Sequence, residues 1–551
     1  MVAGRLAGVV VAASVLVPLA QCVSPPEPTT LVAQGVAIAE VFETAEPYSA
    51  RTLDSLDLAV FFTAHPEYSS DSALVADFYG RRGMQFAWVV NDSLSASAEA
   101  FMALTGVADA LAPPSAAPGR ALSALLQESL GEGGRIGLCD GCDTEVELRL
   151  TAEFFRFADR NYNGYLSRDL RDLNWFVPRT KKNVEGLIDS LAVGQMDLSP
   201  YEPIHPQYQL LKAAVQATRE ISGAPWPALE LPSGTRVLGA GDSAGVVGSI
   251  RHRLHLLGDL EVDGTGERFD STLVRAVQTF QERHGLLRDG VVGPNVLREI
   301  NIPPDARLRT MLINMERLRW VPERQSPNLL LVNIPEYRLH VYEADVEVMS
   351  MEVVVGAQAT RTVIFSDSVS HVVFSPTWTV PASITRNEIL PAMQRDPNYL
   401  RDRNMEVIGG TEALPIVRQN PGPGNALGRV KFIFPNSYSI YMHDTPSVRL
   451  FEAERRAFSH GCIRLSRPRE LAEYLLRDDP VWPPDRIEQA MNGGREIFVP
   501  LAEKRPVVIV YFTAWVDTEG RLNFRDDVYG HDERLASELF LAPDAVAAVA
   551  P

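Results

Sequence analysis

Two short stretches in the last third of the chain bring together the residue types that thiol chemistry needs. Ser459-His460-Gly461-Cys462-Ile463-Arg464 carries a cysteine between a histidine and an arginine, and His443 stands nineteen positions before that cysteine. A free thiol has a pKa near ~8.5, so a positioned imidazole is needed to activate it at neutral pH. An arginine can hold a substrate carboxylate in its planar fork. Gly461 would let a substrate carbonyl approach the backbone, where amides near Cys462 could bind an oxyanion.

Three interpretations of these residues stay open on residue types alone. Cys462 can be a buried structural cysteine beside packed histidines. His443, His460 and Cys462 can be zinc ligands, although the sequence offers no fourth ligand beside them. Cys462 can also be an activated nucleophile with a histidine base. Composition does not decide among the three.

The longer pattern resembles a known family. His443, fifteen residues and then Ser459-His460-Gly461-Cys462-x-Arg464 resemble the signature of the YkuD-type L,D-transpeptidases. The flanking segments 418–423, 425–432 and 456–458 resemble the long Gram-negative form of this family, which has scaffold and peptidoglycan-binding domains. The resemblance extends over residues 75–535.

This resemblance implies a role for each site residue. Cys462 is then the nucleophile and His443 the general base. Ser459, His460 and Gly461 shape the pocket and the oxyanion site, and Arg464 supports the site or binds substrate. Trp378 and Tyr441 line the pocket, whereas Ser375 stands where relatives often carry asparagine.

The implied reaction is acyl transfer between peptidoglycan stem peptides, which forms 3→3 crosslinks through a thioester and needs no metal or organic cofactor. Two alternatives remain: an L,D-carboxypeptidase of the same fold, and a catalytically silent wall-binding scaffold. The partners implied are stem peptides, glycan and proteins of the envelope. The net charge of −18 argues against a general nucleic-acid binder.

The N-terminus predicts export from the cytoplasm. Residues 1–22 contain Arg5, an apolar run and small residues, which is typical of a signal peptide. Leu19-Ala20-Gln21-Cys22 resembles a lipoprotein cleavage box, so Cys22 is either a lipid anchor or is removed with the signal. The expected location is the periplasm or cell envelope, where Cys139 and Cys142 are expected to form a local disulfide.

The 551-residue chain is predicted to be a multidomain α+β protein with a helical scaffold, a small three-helix unit and a mainly β catalytic domain. A helix is expected at Pro468–Leu476, Cys462 is expected at a strand-to-helix turn, and a hairpin is expected between 507–516 and 521–529. The unit at 232–302 resembles a peptidoglycan-binding domain, and either glycan binding or a spacer role is open for it. The expected boundaries are a linker 23–45, a scaffold 46–225, the unit 232–302, a catalytic domain 307–535 with a lid at about 381–418, and a flexible tail 541–551.

Overall fold

The computed structural model describes residues 50–109, 136, 141–166, 170–179, 206–264, 266–321 and 326–540. The predicted signal peptide, Cys22, the linker 23–45, Cys139 and the tail 541–551 lie outside these residues. Cys142 is disulfide-bonded, but its pairing with Cys139 stays a prediction because Cys139 is not described. In the described ranges no helix has both the length and the apolarity that a bilayer span requires.

The N-terminal region is helical, as predicted. Helix α4 (Cys142–Ala158) buries Val146, Leu150, Phe154 and Phe157 along one face, and buried side chains of residues 53–101 pack against this stripe. The buried carboxylate of Glu147 accepts hydrogen bonds from the amides of the preceding loop and hairpin at 87–89, which fixes that segment on α4. The described elements are α1 (Ser55–Ala64), α2 (Ser72–Arg81), β1 (Val89–Val90), β2 (Ser93–Leu94), α3 (Ala96–Asp109), α4 (Cys142–Ala158) and α5 (Pro206–Glu220).

A compact three-helix unit follows. Leu273, Val277 and Phe280 are fully buried on one face of its central helix, which confirms the predicted helical face. The Asp270 carboxylate accepts from the amides of Thr272 and Leu273 and so caps that helix. The three helices are α6 (Gly245–Leu256), α7 (Ser271–Arg283) and α8 (Pro294–Ile300).

Helix α9 (Pro304–Trp320) links the helical region to the catalytic sheet. The Arg319 guanidinium donates to the hydroxyl of Tyr208 on α5 and to the backbone oxygen of Asn161. The Glu316 carboxylate accepts from the amides of Tyr165 and Leu166. These buried contacts hold the helical region and the catalytic domain together.

The predicted catalytic domain is built on one large sheet. Its strands are β3 (Leu329–Asn333), β4 (Arg338–Glu343), β5 (Val346–Gly356), β6 (Ser366–Phe374), β10 (Val430–Ile433), β11 (Met442–His443), β12 (Ala457–Ser459), β13 (Ile463–Leu465) and β14 (Ile497–Val510). The strand order is β12-β5-β13-β11-β10-β6-β14-β3-β4. The sheet closes on itself, because β5 pairs with both β13 and β4.

The insertion between β6 and β10 has a small core of its own, made by Val380, Ile384, Ile389 and Val417. The predicted helical pieces are present. Residues 405–411 and 414–419 also form a hairpin, which was not predicted from the sequence. The elements of this lid are β7 (Trp378–Thr379), α10 (Ala382–Ile384), a π-helical turn (Thr385–Ile389), α11 (Leu390–Arg395), α12 (Tyr399–Asp402), β8 (Met405–Thr411) and β9 (Leu414–Gln419).

The helix predicted after Cys462 is confirmed as α13 (Pro468–Leu476), and α14 (Pro484–Asn492) follows it. Of the predicted C-terminal hairpin, the part nearest the turn is confirmed, where β15 (Ala514–Val516) pairs with β16 (Leu522–Phe524). Helix α15 (His531–Leu539) follows it. The predicted strand-to-helix turn at Cys462 is wrong. Cys462 lies between β12 and β13, because residues 463–465 join the sheet before the chain reaches Pro468.

The three-helix unit is docked on this hairpin. Arg283 donates to the backbone oxygen of Leu522 at 3.0 Å, and Arg525 donates to the backbone oxygen of Arg283 at 2.9 Å. The His284 ring stacks on Phe524 with centroids 5.7 Å apart. The unit is therefore joined to the catalytic domain by a packed and hydrogen-bonded interface.

Candidate active site

The sheet register brings the predicted site residues onto one face. His443 on β11 is the direct partner of Arg464 on β13, and on its other side it is the direct partner of Lys431 on β10. The Ile463 amide donates to the Tyr441 oxygen at 3.1 Å, which continues the ladder toward the nucleophile. Because side chains alternate along a strand, Tyr441 shares the face of His443, and Cys462 shares the face of Arg464.

Cys462 is a free cysteine, and its thiol lies 3.7 Å from the backbone oxygen of Ser439. Burial raises the pKa of the Cys462 thiol, while hydrogen bonding from Tyr441 and the positive charge of Arg464 oppose that rise. Burial also raises the pKa of Tyr441, so its hydroxyl stays protonated.

His443 is buried and oriented by the backbone. Its Nδ1 lies 2.5 Å from the backbone oxygen of Asp444, which acts as the acceptor, so Nδ1 carries the proton and Nε2 is left as the basic nitrogen. Burial, together with the charges of Arg464 and Lys431, lowers the pKa of His443 to about 3, although the hydrogen bond with the Asp444 oxygen acts to raise it. The resting site therefore pairs a neutral imidazole with a neutral thiol.

Ser459 and Gly461 form the turn at residues 459–462 that carries Cys462, called the catalytic turn below. The Ser459 hydroxyl donates to the Cys462 oxygen at 2.5 Å and accepts from the Gly461 amide at 3.1 Å. Gly461 has a φ of +113°, a conformation that side chains rarely adopt. The Nε2 of His460 contacts a carboxylate oxygen of Glu388 in the lid at 2.8 Å.

These positions argue against the interpretation that His443, His460 and Cys462 are ligands of one zinc ion. His460 contacts Glu388 and the His443 Nδ1 contacts Asp444, so the two rings and the Cys462 thiol do not converge. The part of the chain that the structure describes contains no cluster of three or more histidine, cysteine, aspartate or glutamate side chains able to hold a metal ion.

Arg464 and Lys431 place two cations beside His443. The Arg464 Nε is buried and has no hydrogen-bond partner among the described residues. The Lys431 ammonium lies 3.4 Å from Glu496, whose carboxylate also accepts from the amide and hydroxyl of Thr377. Lys431 was not predicted as a site residue. Its place between the apolar Val430 and Phe432 is nevertheless the pattern of a strand residue that faces away from the core.

Ser375 does not join this face. Its hydroxyl donates to the backbone oxygens of Ala490 and Met491, which ties it to α14. The Ser375 hydroxyl is therefore already engaged by α14.

Comparison with known proteins matches three parts of the chain to family models. Residues 327–482 match the model described as "L,D-transpeptidase catalytic domain", 73–215 match "Scaffold domain", and 244–300 match "Putative peptidoglycan binding domain". A curated relative, the "Putative L,D-transpeptidase" of Haemophilus influenzae, is 32% identical over 241 residues, which is 41% of this chain and 48% of the relative. The match thus spans about half the length of that relative.

Solved structures give weaker likenesses. The L,D-transpeptidase of Stackebrandtia nassauensis is 13% identical, with 51% of this chain and 97% of that chain covered and a TM-score of 0.22. L,D-transpeptidase 3 of Mycobacterium tuberculosis is 16% identical, with coverage of 33% and 61% and a TM-score of 0.18. TM-scores this low carry no argument about shape. The matches to the family models show that this chain combines a scaffold domain and a peptidoglycan binding domain with an L,D-transpeptidase catalytic domain of the YkuD family.

Proposed function

We propose that this protein is a cysteine-dependent L,D-transpeptidase that forms 3→3 crosslinks between peptidoglycan stem peptides. The observation that carries the proposal is the shared face of Cys462, Tyr441, His443 and Arg464, set by the pairing of β11 with β13. A free thiol, a neutral imidazole and a guanidinium whose buried Nε has no hydrogen-bond partner in the described part of the chain are the groups that acyl transfer from a carboxylated peptide requires.

In the first half-reaction Cys462 attacks the amide between the L-centre of diaminopimelate and the terminal D-alanine. The C–S bond forms as His443 Nε2 takes the thiol proton, and the carbonyl electron pair moves to oxygen. When this oxyanion collapses, the C–N bond breaks and His443 returns the proton to the leaving amine. D-Alanine departs and a thioester remains on Cys462.

In the second half-reaction the side-chain amine of another stem attacks the thioester. His443 removes a proton from that amine, the new amide bond forms, and the C–S bond breaks. The thiolate recovers the proton from His443, so the enzyme returns to its neutral resting state. Water as the acceptor would give a carboxypeptidase by the same steps.

The other residues on this face bind and shape the substrate in this proposal. The Arg464 guanidinium offers donors to a stem-peptide carboxylate, and its buried Nε has no hydrogen-bond partner among the described residues that would compete with such a ligand. Tyr441 and Trp378 line the pocket beside Cys462 in this proposal. His460 and Glu388 join the catalytic turn to the lid from the other side.

Purified protein incubated with defined muropeptides tests the proposal by mass analysis of the products. Dimers support transpeptidation, tripeptides alone indicate hydrolysis, and unchanged substrate indicates a silent scaffold. Cys462→Ser is expected to stay folded and to lose both acyl transfer and covalent addition of a carbapenem, since an alcohol is a far poorer nucleophile than a thiolate. An adduct on Cys462→Ser would contradict the assignment of the nucleophile.

The domains that act on peptidoglycan place the protein in the cell envelope. We further propose export by the N-terminal signal into the periplasm, with Cys22 either lipidated or removed. Metabolic labelling with a palmitate analogue, compared between wild type and Cys22→Ala, separates these two fates.

A further inference from the structure

The peptide bond between Gly461 and Cys462 is held by a hydroxyl from another part of the chain. Thr362 Oγ1 donates to the Gly461 oxygen at 2.8 Å and accepts from the Gly356 amide at 2.9 Å. Thr362 is 1% exposed, so these hydrogen bonds are shielded from water. The hydroxyl therefore links the catalytic turn to the end of β5.

Tyr529 completes the support from the C-terminal side. Its hydroxyl donates to the Gly356 oxygen at 2.7 Å and accepts from the Thr362 amide at 3.2 Å. The Tyr529 amide in turn donates to the Tyr511 hydroxyl at 2.8 Å. Tyr529 lies beyond residues 327–482, the part that matches the catalytic-domain model, so the site draws on residues outside that match.

The carbonyl of Ser459 is fixed from the same segment. It accepts from Thr360 Oγ1 at 2.8 Å and from the Ala357 amide at 2.8 Å. The carbonyls of Ser459 and Gly461 therefore both point toward the segment 356–362.

The direction of these carbonyls sets the direction of the amides. In a trans peptide the C=O and the N–H point to opposite sides of the chain. With the Gly461 oxygen bonded to Thr362, the Cys462 N–H faces away from the segment 356–362. Glycine has the widest backbone freedom of any residue, so a peptide next to Gly461 needs such an external constraint to keep one orientation.

We propose that Thr362, supported by Tyr529, is a positioning residue that fixes the Gly461–Cys462 peptide so that the Cys462 N–H can donate to the oxyanion of the acylation step. This inference rests on the proposed function, in which Cys462 Sγ adds to a carbonyl carbon and the π electron pair moves to the carbonyl oxygen. An oxyanion donor acts only when it is held in place before that charge appears.

Two reactions of the same thiol separate this role from a general structural one. Acylation by a carbapenem passes through an oxyanion, because the thiol adds to the lactam carbonyl before the ring C–N bond opens. Alkylation by iodoacetamide displaces iodide at a saturated carbon and forms no oxyanion. The ratio of the two rates therefore reports the oxyanion site, whatever the reactivity of the thiol.

Thr362→Val keeps the branched shape and removes the hydroxyl. We expect the acylation rate to fall about tenfold, less than the ~10²–10³ seen when an oxyanion donor is removed outright, because the donor is loosened rather than lost. The alkylation rate should be unchanged, and Thr362→Ser should restore acylation. Thr513→Val removes a hydrogen-bonded hydroxyl that is equally buried in the same domain, and it should leave the ratio unchanged.

Each outcome decides the matter. Equal loss of both rates in Thr362→Val, or no loss of either, would overturn the positioning role. If Thr362→Val does not fold, Tyr529→Phe decides instead: a lower ratio supports the inference and an unchanged ratio rejects it. A wild-type protein that is alkylated at Cys462 but never acylated would reject the proposed function itself, which is a different failure.

Discussion

The parallel register of β11 and β13 makes Tyr441 the neighbour of Cys462, and the amide that follows Cys462 donates to the backbone oxygen of Tyr441 at 3.1 Å. Because the Tyr441 hydroxyl stays protonated, it favours the thiolate over the thiol, and it offsets part of the effect of burial on the pKa of Cys462.

The first prediction removes that hydroxyl. Tyr441→Phe should raise the pKa of Cys462 and so shift its alkylation to higher pH, because a group that favours the thiolate is removed. The measurement is the iodoacetamide rate as a function of pH. Tyr474→Phe is the matched control, since its hydroxyl binds Glu343 away from the site. An unshifted profile for Tyr441→Phe would mean that the hydroxyl does not act on the thiol.

The second prediction concerns acid stability. The pKa of His443 is about 3 in the folded protein and near 6.5 when unfolded, so between these values the unfolded state binds the extra proton. Stability should therefore be complete above pH 6.5 and decline as the pH falls toward 3. Replacing His443 by Gln should reduce the slope of unfolding free energy against pH by about 1.4 kcal/mol per unit between pH ~4 and ~6, measured by urea titrations. An unchanged slope would show that His443 binds its proton equally in both states.

The sequence allowed the site to be predicted further than the fold around it. Cys462, His443 and Arg464 lie in two short stretches of sequence, and the structure places them on one face. The turn type at Cys462 was mispredicted because β13 has only three residues, too few to show alternation. The lid hairpin was missed for a similar reason: β8 is exposed along nearly all its length, so its sequence carries no inside–outside pattern.

The supports of the site could not be predicted from the sequence at all. The Thr362 amide and the Tyr529 hydroxyl are 167 positions apart, and neither residue lies in a motif. Their contact depends on how the C-terminal segment packs under the sheet, which periodicity and composition do not encode. The helix at Pro468–Leu476 was the opposite case, because proline in its first turn marks its start.

The third prediction concerns the close approach of β5 to the loop that supports the turn. A Cβ added at Gly356 would lie 2.1 Å from the Thr360 oxygen and 2.7 Å from the Thr362 amide nitrogen, both backbone atoms. Gly356→Ala should therefore displace the loop, destabilise the protein by about 1–3 kcal/mol and lower carbapenem acylation. Gly80→Ala on α2 has open space and should be neutral or stabilising in the same thermal unfolding assay. Normal stability and acylation in Gly356→Ala would contradict the tight contact.

The fourth prediction tests the contact between lid and turn. His460→Gln and Glu388→Gln should each lower turnover of stem peptides, and the double variant should be no worse than either alone, because both remove the same contact. The effect on stability should be small, about 0–1 kcal/mol, since both side chains are half-exposed. Glu406→Gln, which breaks a pair with Arg418 inside the lid, is the control. Additive losses would show that the two residues act separately.

The last prediction asks whether the three-helix unit braces the catalytic domain or only tethers it to polymer. A Cβ added at Gly285 would lie 2.6 Å from Nε of Arg525, which reaches across the interface. Gly258 in the same unit also has a positive φ, but it has open space around it. Alanine at either position has the same backbone strain of ~1–2 kcal/mol, so the difference between the two variants isolates the interface. If the unit is a brace, Gly285→Ala should lower the thermal midpoint further than Gly258→Ala and speed hydrogen exchange at 522–525. If it is only a tether, the two variants should unfold alike, and deletion of 232–302 should weaken binding to sacculi while acylation of Cys462 stays intact.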